Sequence, residues 1–333
     1  MLLPVKILIY ILSASLLLNG GCSIGSGEAK NPSQEVPEYV IAIHGGAGTL
    51  SRERITEEQE KEYLNKLDEA LSAGEAVLNN GGTSIHAVRT AIMIMEDSPL
   101  FNAGKGAVFT NRKRVELDAS VMEGKTLNAG AIAGVTDIKN PILGAIAVME
   151  NSPHVMFAGD GASQFAREQG LEIVDNSYFH TQRRLDDVIR QIERDINGTV
   201  GAVALDREGN LAAGTSTGGM SNKRYGRIGD SPVIGAGTYA NNRTCAVSAT
   251  GHGEYFIRWV VAYDISALME YREMTLEDAA NEVIGNKLVE AGATGGVVAV
   301  DRYGNVAMPF NTAGMYRGYV KSTGEKEIAI FAD

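Results

Sequence analysis

The chain has 333 residues, 44% of them apolar, which is enough to bury a sizeable core in one large domain or two small ones and excludes a disordered protein. A formal net charge of −11 excludes a nucleic-acid-binding surface, which needs concentrated Lys and Arg, and favours a small polar substrate instead.

The N-terminus is a different material from the rest. Lys6 precedes an apolar run from Ile7 to Leu18 that is short for a bilayer span and is followed by small residues and a cysteine, the pattern of an export signal over residues 1–21. Leu18-Asn19-Gly20-Gly21-Cys22 is similar to a bacterial lipobox, although Asn19 stands where an aliphatic residue is usual. That predicts lipidation of Cys22 and an exported protein, periplasmic or anchored to a membrane; an ordinary cleaved signal and an uncleaved anchor are the alternatives. Residues 22–38, rich in Gly, Ser and Pro, then form a polar tether. The only other cysteine is Cys245, so a lipidated Cys22 leaves no intrachain disulfide and the fold must rest on its core.

Glu38 to Ile43 reads as a buried strand that runs into His44-Gly45-Gly46-Ala47-Gly48, a loop whose missing side chains let other backbone approach closely. Thr56-Glu57-Glu58-Gln59 has capping-box spacing for a first helix, and a second spans about Ser84 to Met95. Short strands are expected around Ala107–Thr110, Val115–Met122 and Asn128–Val135, then helices near Pro141–Met149 and Ala162–Glu168. A charged helix from Leu185 to about Arg194 leads to a hairpin, a strand near Cys245–Thr250, helices near Tyr255–Tyr271 and Thr275–Leu288, a second hairpin and a last strand at Glu327–Phe331. Strands, paired helices and strands occur twice, which suits an α+β fold: a four-layer αββα sandwich of two mostly antiparallel sheets, a single domain over residues 39–333.

Both hairpins turn on D-R-x-G-N, at Asp206–Asn210 and Asp301–Asn305, a three-residue turn with Gly in the left-handed position. If Asp206 and Asn210 close the first turn, paired residue numbers sum to about 416, and Thr199 lies opposite Thr217. Hydroxyls at a strand end are by themselves ordinary. Gly198 makes chemistry competitive, because a residue without Cβ leaves its carbonyl open to the Thr199 hydroxyl. Attack there shifts the acyl group from nitrogen to oxygen, and water releases the ester. Thr199 is left with a free α-amine of pKa roughly 7.7–8, able to serve as base for its own hydroxyl. No catalytic histidine is then required, which fits five scattered His residues.

From about Tyr39 onward several blocks occur together and in order: I-A-I-H-G-G-A-G, P-L-F-N-A-G-K-G-A-V-F-T, E-L-D-A-S-V-M-E-G, G-T-V-G-A-V-A-L-D, T-S-T-G-G-M, G-R-I-G-D-S-P and T-G-H-G-E. In these the chain resembles the plant-type L-asparaginases and isoaspartyl peptidases, N-terminal-nucleophile hydrolases of αββα fold. The resemblance implies that Thr199 is the nucleophile, that Gly198-Thr199 is the bond cut to give fragments 22–198 and 199–333, and that Thr217 orients the nucleophile. It implies that Arg227 and Asp230 hold the substrate's α-carboxylate and α-ammonium, roles that suit a planar fork and an acceptor. Thr250 and Gly251 correspond to the oxyanion hole, Gly253 to the pocket lining, and Asn102 to a contact with the nucleophile region. The family also wraps a structural sodium ion in main-chain carbonyls, here those of Met95, Glu96, Ser98, Phe101, Ala103 and Lys105. It uses no cofactor for chemistry and pairs as dimers of two-fragment units.

Two motifs lead nowhere else. Asn102-Ala103-Gly104-Lys105-Gly106 lacks the spacing of a phosphate loop, and His252 with Glu254 lacks further ligands for zinc. One departure concerns processing: Asp175–Asn197, ahead of the cut, is shorter than in many family members and partly helical by pattern. The expected activity is release of L-aspartate from isoaspartyl dipeptides and L-asparagine. A glycosylasparaginase acting on N-acetylglucosaminyl-asparagine is the alternative enzyme, and an unprocessed surface-tethered binding protein the alternative of another class.

Overall fold

The structure, a computed structural model, describes residues 36–48, 50–53, 55–189 and 198–332. The expected signal, most of the tether with Cys22, and the end of the charged helix lie outside the described residues. In chain order the strands are β1 (Val40–Gly48), β2 (Leu117–Glu123), β3 (Ala129–Val135), β4 (Met156–Ala158), β5 (Val200–Leu205) and β6 (Leu211–Thr217). They continue with β7 (Thr238–Ala240), β8 (Cys245–Gly251), β9 (Gly295–Asp301), β10 (Val306–Ala307), β11 (Gly314–Lys321) and β12 (Lys326–Phe331). The helices that pack on them are α1 (Glu57–Asn79), α2 (Ser84–Glu96), α3 (Pro141–Asn151), α4 (Gly159–Glu168), α5 (Gln182–Ile189), α6 (Gly253–Trp259), α7 (Val261–Arg272) and α8 (Leu276–Asn281).

Eight strands form one sheet in the order β12-β11-β1-β5-β6-β2-β3-β4, antiparallel except for the β3–β4 pair, and four form a second antiparallel sheet, β10-β9-β8-β7. Strands from before and after Gly198 are interleaved in blocks in the larger sheet, with β5 hydrogen-bonded to β1 on one side and β6 on the other. Helices α1, α2 and α3 cover its outer face, α7 and α8 cover the smaller sheet, and the two inner faces meet: the expected αββα sandwich. Val40-Ile41-Ala42-Ile43 is apolar at every position because β1 is buried on both faces. Ile41 and Ile43 pack under the helices, Val40 and Ala42 between the sheets.

Thr56 caps α1 with both arms of the capping box, as its spacing predicts. Several expectations need correction. His44–Gly48 is not a loop: β1 continues through it against β11, with an irregularity between His44 and Gly46 that the glycines permit. Ala107–Thr110 carries only an isolated bridge, Phe109 to Val115, because its residues serve the loop around Asn102 instead. Strand β11 has no apolar alternation to announce it: in G-M-Y-R-G-Y-V-K a buried Arg317 donates to the carbonyls of Met315 and Phe331. The helix expected over Tyr255–Tyr271 breaks at Val260, held at φ 50°, and the one expected from Thr275 passes through a π-helical segment, Glu282–Lys287.

Candidate active site

The side-chain alternation of three strands builds the site. Val203 and Leu205 of β5, Leu211 and Ala213 of β6, and Ala246 of β8 face the space between the sheets. By the two-residue period, Thr199 just ahead of β5, Thr215 and Thr217 of β6, and Ser248 and Thr250 of β8 share that space. The inter-sheet core is thus apolar at one end and hydroxyl-rich at the other.

Pairing in the first hairpin runs from Val200–Ser216 to Leu205–Leu211, the register counted from the turn, with Gly209 left-handed at φ 76°. Carried one residue further it sets Thr199 against Thr217. The Thr199 hydroxyl donates to Thr217 Oγ1 at 3.1 Å, and Thr217 in turn donates to the Gly198 carbonyl at 3.2 Å while accepting the Gly219 N–H at 2.9 Å. Thr199 is buried, 8% exposed. One hydroxyl therefore touches both the candidate nucleophile and the carbonyl it would attack.

Two neighbours fix the Gly198-Thr199 peptide. Gly46, at φ 111°, lies so close that an added Cβ would come within 2.8 Å of Gly198 Cα and 3.2 Å of Thr199 N. A Cβ on Gly198 would stand 3.0 Å from that of Asn102. Asn102 itself donates to the Gly219 carbonyl at 2.7 Å, accepts from the Val108 N–H at 2.9 Å and receives the Gly218 N–H on its backbone oxygen. Thr250 joins through β1, its hydroxyl accepting the Ala47 N–H at 3.3 Å. Only glycine fits next to it, since a Cβ on Gly251 would meet Thr294 O at 2.6 Å.

Arg227 and Asp230 converge on Gly253, where an added Cβ would lie 2.8 Å from Arg227 Nη2 and 2.9 Å from Asp230 Oδ1. Asp230 is buried and its Oδ2 has no hydrogen-bond partner among the described residues. Burial pushes its carboxyl up to about 7, against the opposing pull of its own backbone N–H and of Arg227. An orphaned buried acceptor beside a guanidinium is an arrangement suited to a ligand bearing both an ammonium and a carboxylate.

Several polar residues at the site were not singled out in the sequence. Asp118 of β2 pairs directly with Thr217, and burial raises its carboxyl well above the usual range although Lys223 opposes this. The Lys223 ammonium is enclosed, donates to the Glu116 carbonyl at 3.2 Å and lies 3.9 Å from Asp118 Oδ2. His44 Nε2 meets Ser248 Oγ at 2.9 Å, and a hydroxyl chain continues through Thr215 and Thr238 to Ser120. Burial drives the His44 imidazole down to about 3, so it is neutral, with only partial opposition from the Thr199 backbone. An aspartate set between the apolar Leu117 and Ala119 was the signal available for Asp118. Nothing local marks Lys223, whose partners lie more than a hundred residues away.

The segment from Met95 to Gly106 folds back on its own carbonyls. Gly104 is left-handed at φ 48° with the Glu96 carbonyl against its Cα, and a Cβ on Gly106 would meet Pro99 O at 2.7 Å and collide with Phe101 O. Met95 and Ala103 carbonyls already accept N–H groups from Ser98 and Gly106. The Glu96 carboxylate is turned away, accepting from Ser216 at 2.6 Å and Ile142 N–H at 3.0 Å. Among the described residues no three His, Cys, Asp or Glu side chains gather as a metal site. What this loop offers a cation is neutral carbonyl oxygen, the donor chemistry of a hard ion of low charge.

Two mostly antiparallel sheets between helical layers, with a threonine entering a central strand beside an open glycine carbonyl, define an N-terminal-nucleophile type of hydrolase. The model of the family described as Asparaginase matches residues 37–330. The chain belongs to that family. It is 50% identical to an isoaspartyl peptidase of Escherichia coli (strain K12), over 85% of this chain and 94% of that one. It is 47% identical to a putative isoaspartyl peptidase/L-asparaginase of Dictyostelium discoideum, over 84% and 93%, and 38% identical to a plant-type L-asparaginase of Pyrococcus horikoshii, over 86% and 97%.

Proposed function

We propose that the chain is a self-processed threonine hydrolase that removes β-linked aspartyl residues from isoaspartyl dipeptides and deamidates L-asparagine. The observation that carries this reading is the unbroken relay from Thr199 Oγ1 through Thr217 Oγ1 to the Gly198 carbonyl, at 3.1 and 3.2 Å. In maturation the Thr199 oxygen adds to that carbonyl, the C–N bond to its own nitrogen breaks, and water hydrolyses the resulting ester. The products are a Gly198 carboxylate and a Thr199 amine. In turnover that amine takes the hydroxyl proton as the oxygen attacks the substrate's side-chain carbonyl, and returns it to the departing ammonia or amino acid. Thr250 and the Gly251 N–H stabilise the oxyanion, Thr217 orients the nucleophile, and Asn102 holds the turn behind it. Arg227 and Asp230, over the bare Cα of Gly253, take the α-carboxylate and α-ammonium common to both substrates. Water then frees L-aspartate.

A denaturing gel of the purified protein with assays on a β-aspartyl dipeptide, asparagine and N-acetylglucosaminyl-asparagine tests the reading. Two bands and release of aspartate from the first two are expected; a single uncut but active chain, or preference for the glycosylated substrate, contradicts it.

The same proposal extends to the surroundings. The carbonyls of Met95, Glu96, Ser98, Phe101, Ala103 and Lys105 hold a sodium ion whose contribution is rigidity of the loop carrying Asn102. Export followed by lipidation of Cys22 tethers the enzyme to a membrane, and two-fragment units associate as dimers. Incorporation of labelled fatty acid, abolished by Cys22→Ser, checks the anchor.

A further inference from the structure

We propose that Glu254 is a positioning residue, which grips one edge of the Arg227 guanidinium so that its other edge is presented to the substrate's α-carboxylate. This rests on the assignment of Arg227 as the carboxylate clamp. Glu254 Oε1 accepts from Arg227 Nε at 2.9 Å and Oε2 from Nη2 at 3.0 Å, a two-pronged bond along the side edge of the guanidinium. Of the five N–H groups on an arginine, this leaves both on Nη1 and one on Nη2. Those remaining donors form a second fork.

Glycines dictate where the second fork points. A Cβ on Gly229 would lie 2.8 Å from Arg227 Nη1, one on Gly253 2.8 Å from Nη2, and one on Gly219 3.6 Å from Nη1. Gly219 is the residue whose N–H binds the Thr217 hydroxyl. The free fork therefore borders the turn that holds the nucleophile, and Glu254 holds the guanidinium on the edge away from Nη1. Glu254 stands in the first turn of α6, which packs into the smaller sheet's core through Phe256. Its side chain is half exposed, so it reaches Arg227 from the solvent side. The guanidinium beside it keeps its carboxyl below the usual range, which favours the ionised form that makes the two-pronged bond. An arginine held on one edge arrives at the substrate with its rotamers already restricted, and that ordering cost is removed from binding.

A competing arrangement has Glu254 occupy Arg227 only until the substrate's carboxylate displaces it, and the two differ in sign. Glu254→Gln keeps one acceptor but sets an amide N–H against a guanidinium N–H. As a positioning residue its loss should raise KM for a β-aspartyl dipeptide about tenfold, with kcat within about threefold, because the reacting atoms are untouched. Maturation of this variant into two fragments should match the wild type, since no substrate is involved. Glu254→Asp, which keeps the charge but draws the fork back by one methylene, should raise KM too and serves should the Gln variant fail to fold. In Arg227→Lys, which has no second edge to orient, adding Glu254→Gln should change KM no further. A KM that is unchanged or lower in both Glu254 variants overturns the proposal. A wild-type enzyme that matures but ignores aspartyl substrates overturns the assignment of Arg227 beneath it, a result separable from the first.

Discussion

The Thr217 hydroxyl has three bonds at once, accepting from the Thr199 hydroxyl and the Gly219 N–H and donating to the Gly198 carbonyl. Replacing it by valine keeps the shape and removes all three, so both maturation and kcat should fall by about a hundredfold, read by the decay of the precursor band and by initial rates. On the proposed assignment of the substrate's ammonium, Asp230 carries the pH dependence. Its carboxyl, raised to about 7 by burial, must be ionised to accept the substrate ammonium. Below pH 7 the free enzyme holds it protonated, so KM should rise about tenfold per pH unit, and Asp230→Asn should have a high KM without that slope. The same shift has the opposite sense for stability. An acid whose folded-state pKa lies above its unfolded one is ionised first in the unfolded chain, so between about pH 4 and 7 it lowers stability as pH rises. Bound L-aspartate should oppose that loss, which thermal unfolding with and without the ligand checks. The place of Asp230 beside Arg227 was legible in the sequence through G-R-I-G-D-S-P, whereas the pairing of Asp118 with Lys223 was not. Their pairing is made by β2 and the loop after β6, and only the fold brings it about.

At the scale of elements, the hairpin β5–β6 sets the register of the site from its far end. Asp206 Oδ1 accepts the Glu208 and Asn210 N–H groups, and its Oδ2 accepts the Ser84 N–H and hydroxyl at the start of α2. Asp206→Ala leaves these donors without their partner and should cost about 1–3 kcal/mol, read from denaturant unfolding. The turn's local rules made this register readable, and Thr199 opposite Thr217 follows from counting. The stretch His44–Gly48 was misread as a loop because glycines weaken the strand signal, while the pairing of β1 with β11 overrides propensity. That some other backbone would approach it closely was nonetheless legible from composition, though not that this would be Gly198. Gly46→Ala would combine a strained φ of 111° with a collision against Gly198 Cα, and should slow maturation sharply. The break at Val260 had no Gly or Pro to announce it, and β11 hides its apolar face behind a buried Arg317.

At the scale of the molecule, the Gly198-Thr199 bond lies where the larger sheet passes from β4 to β5, yet β5 is zipped between β1 and β6. Its cleavage removes one covalent link and no ladder. The two fragments should co-elute on native gel filtration and part only in denaturant. The two-sheet architecture was readable from the repeated order of strands and helices, while the split into eight and four strands was not, because β4, β7 and β11 are short or irregular. The proposed activity as a whole turns on Thr199 acquiring a free amine. Intact mass and N-terminal sequencing of the active protein test that most directly: it predicts a fragment beginning Thr199-Val200-Gly201, absent from Thr199→Ala, and an active protein in which residue 199 remains amide-linked to Gly198 would contradict it.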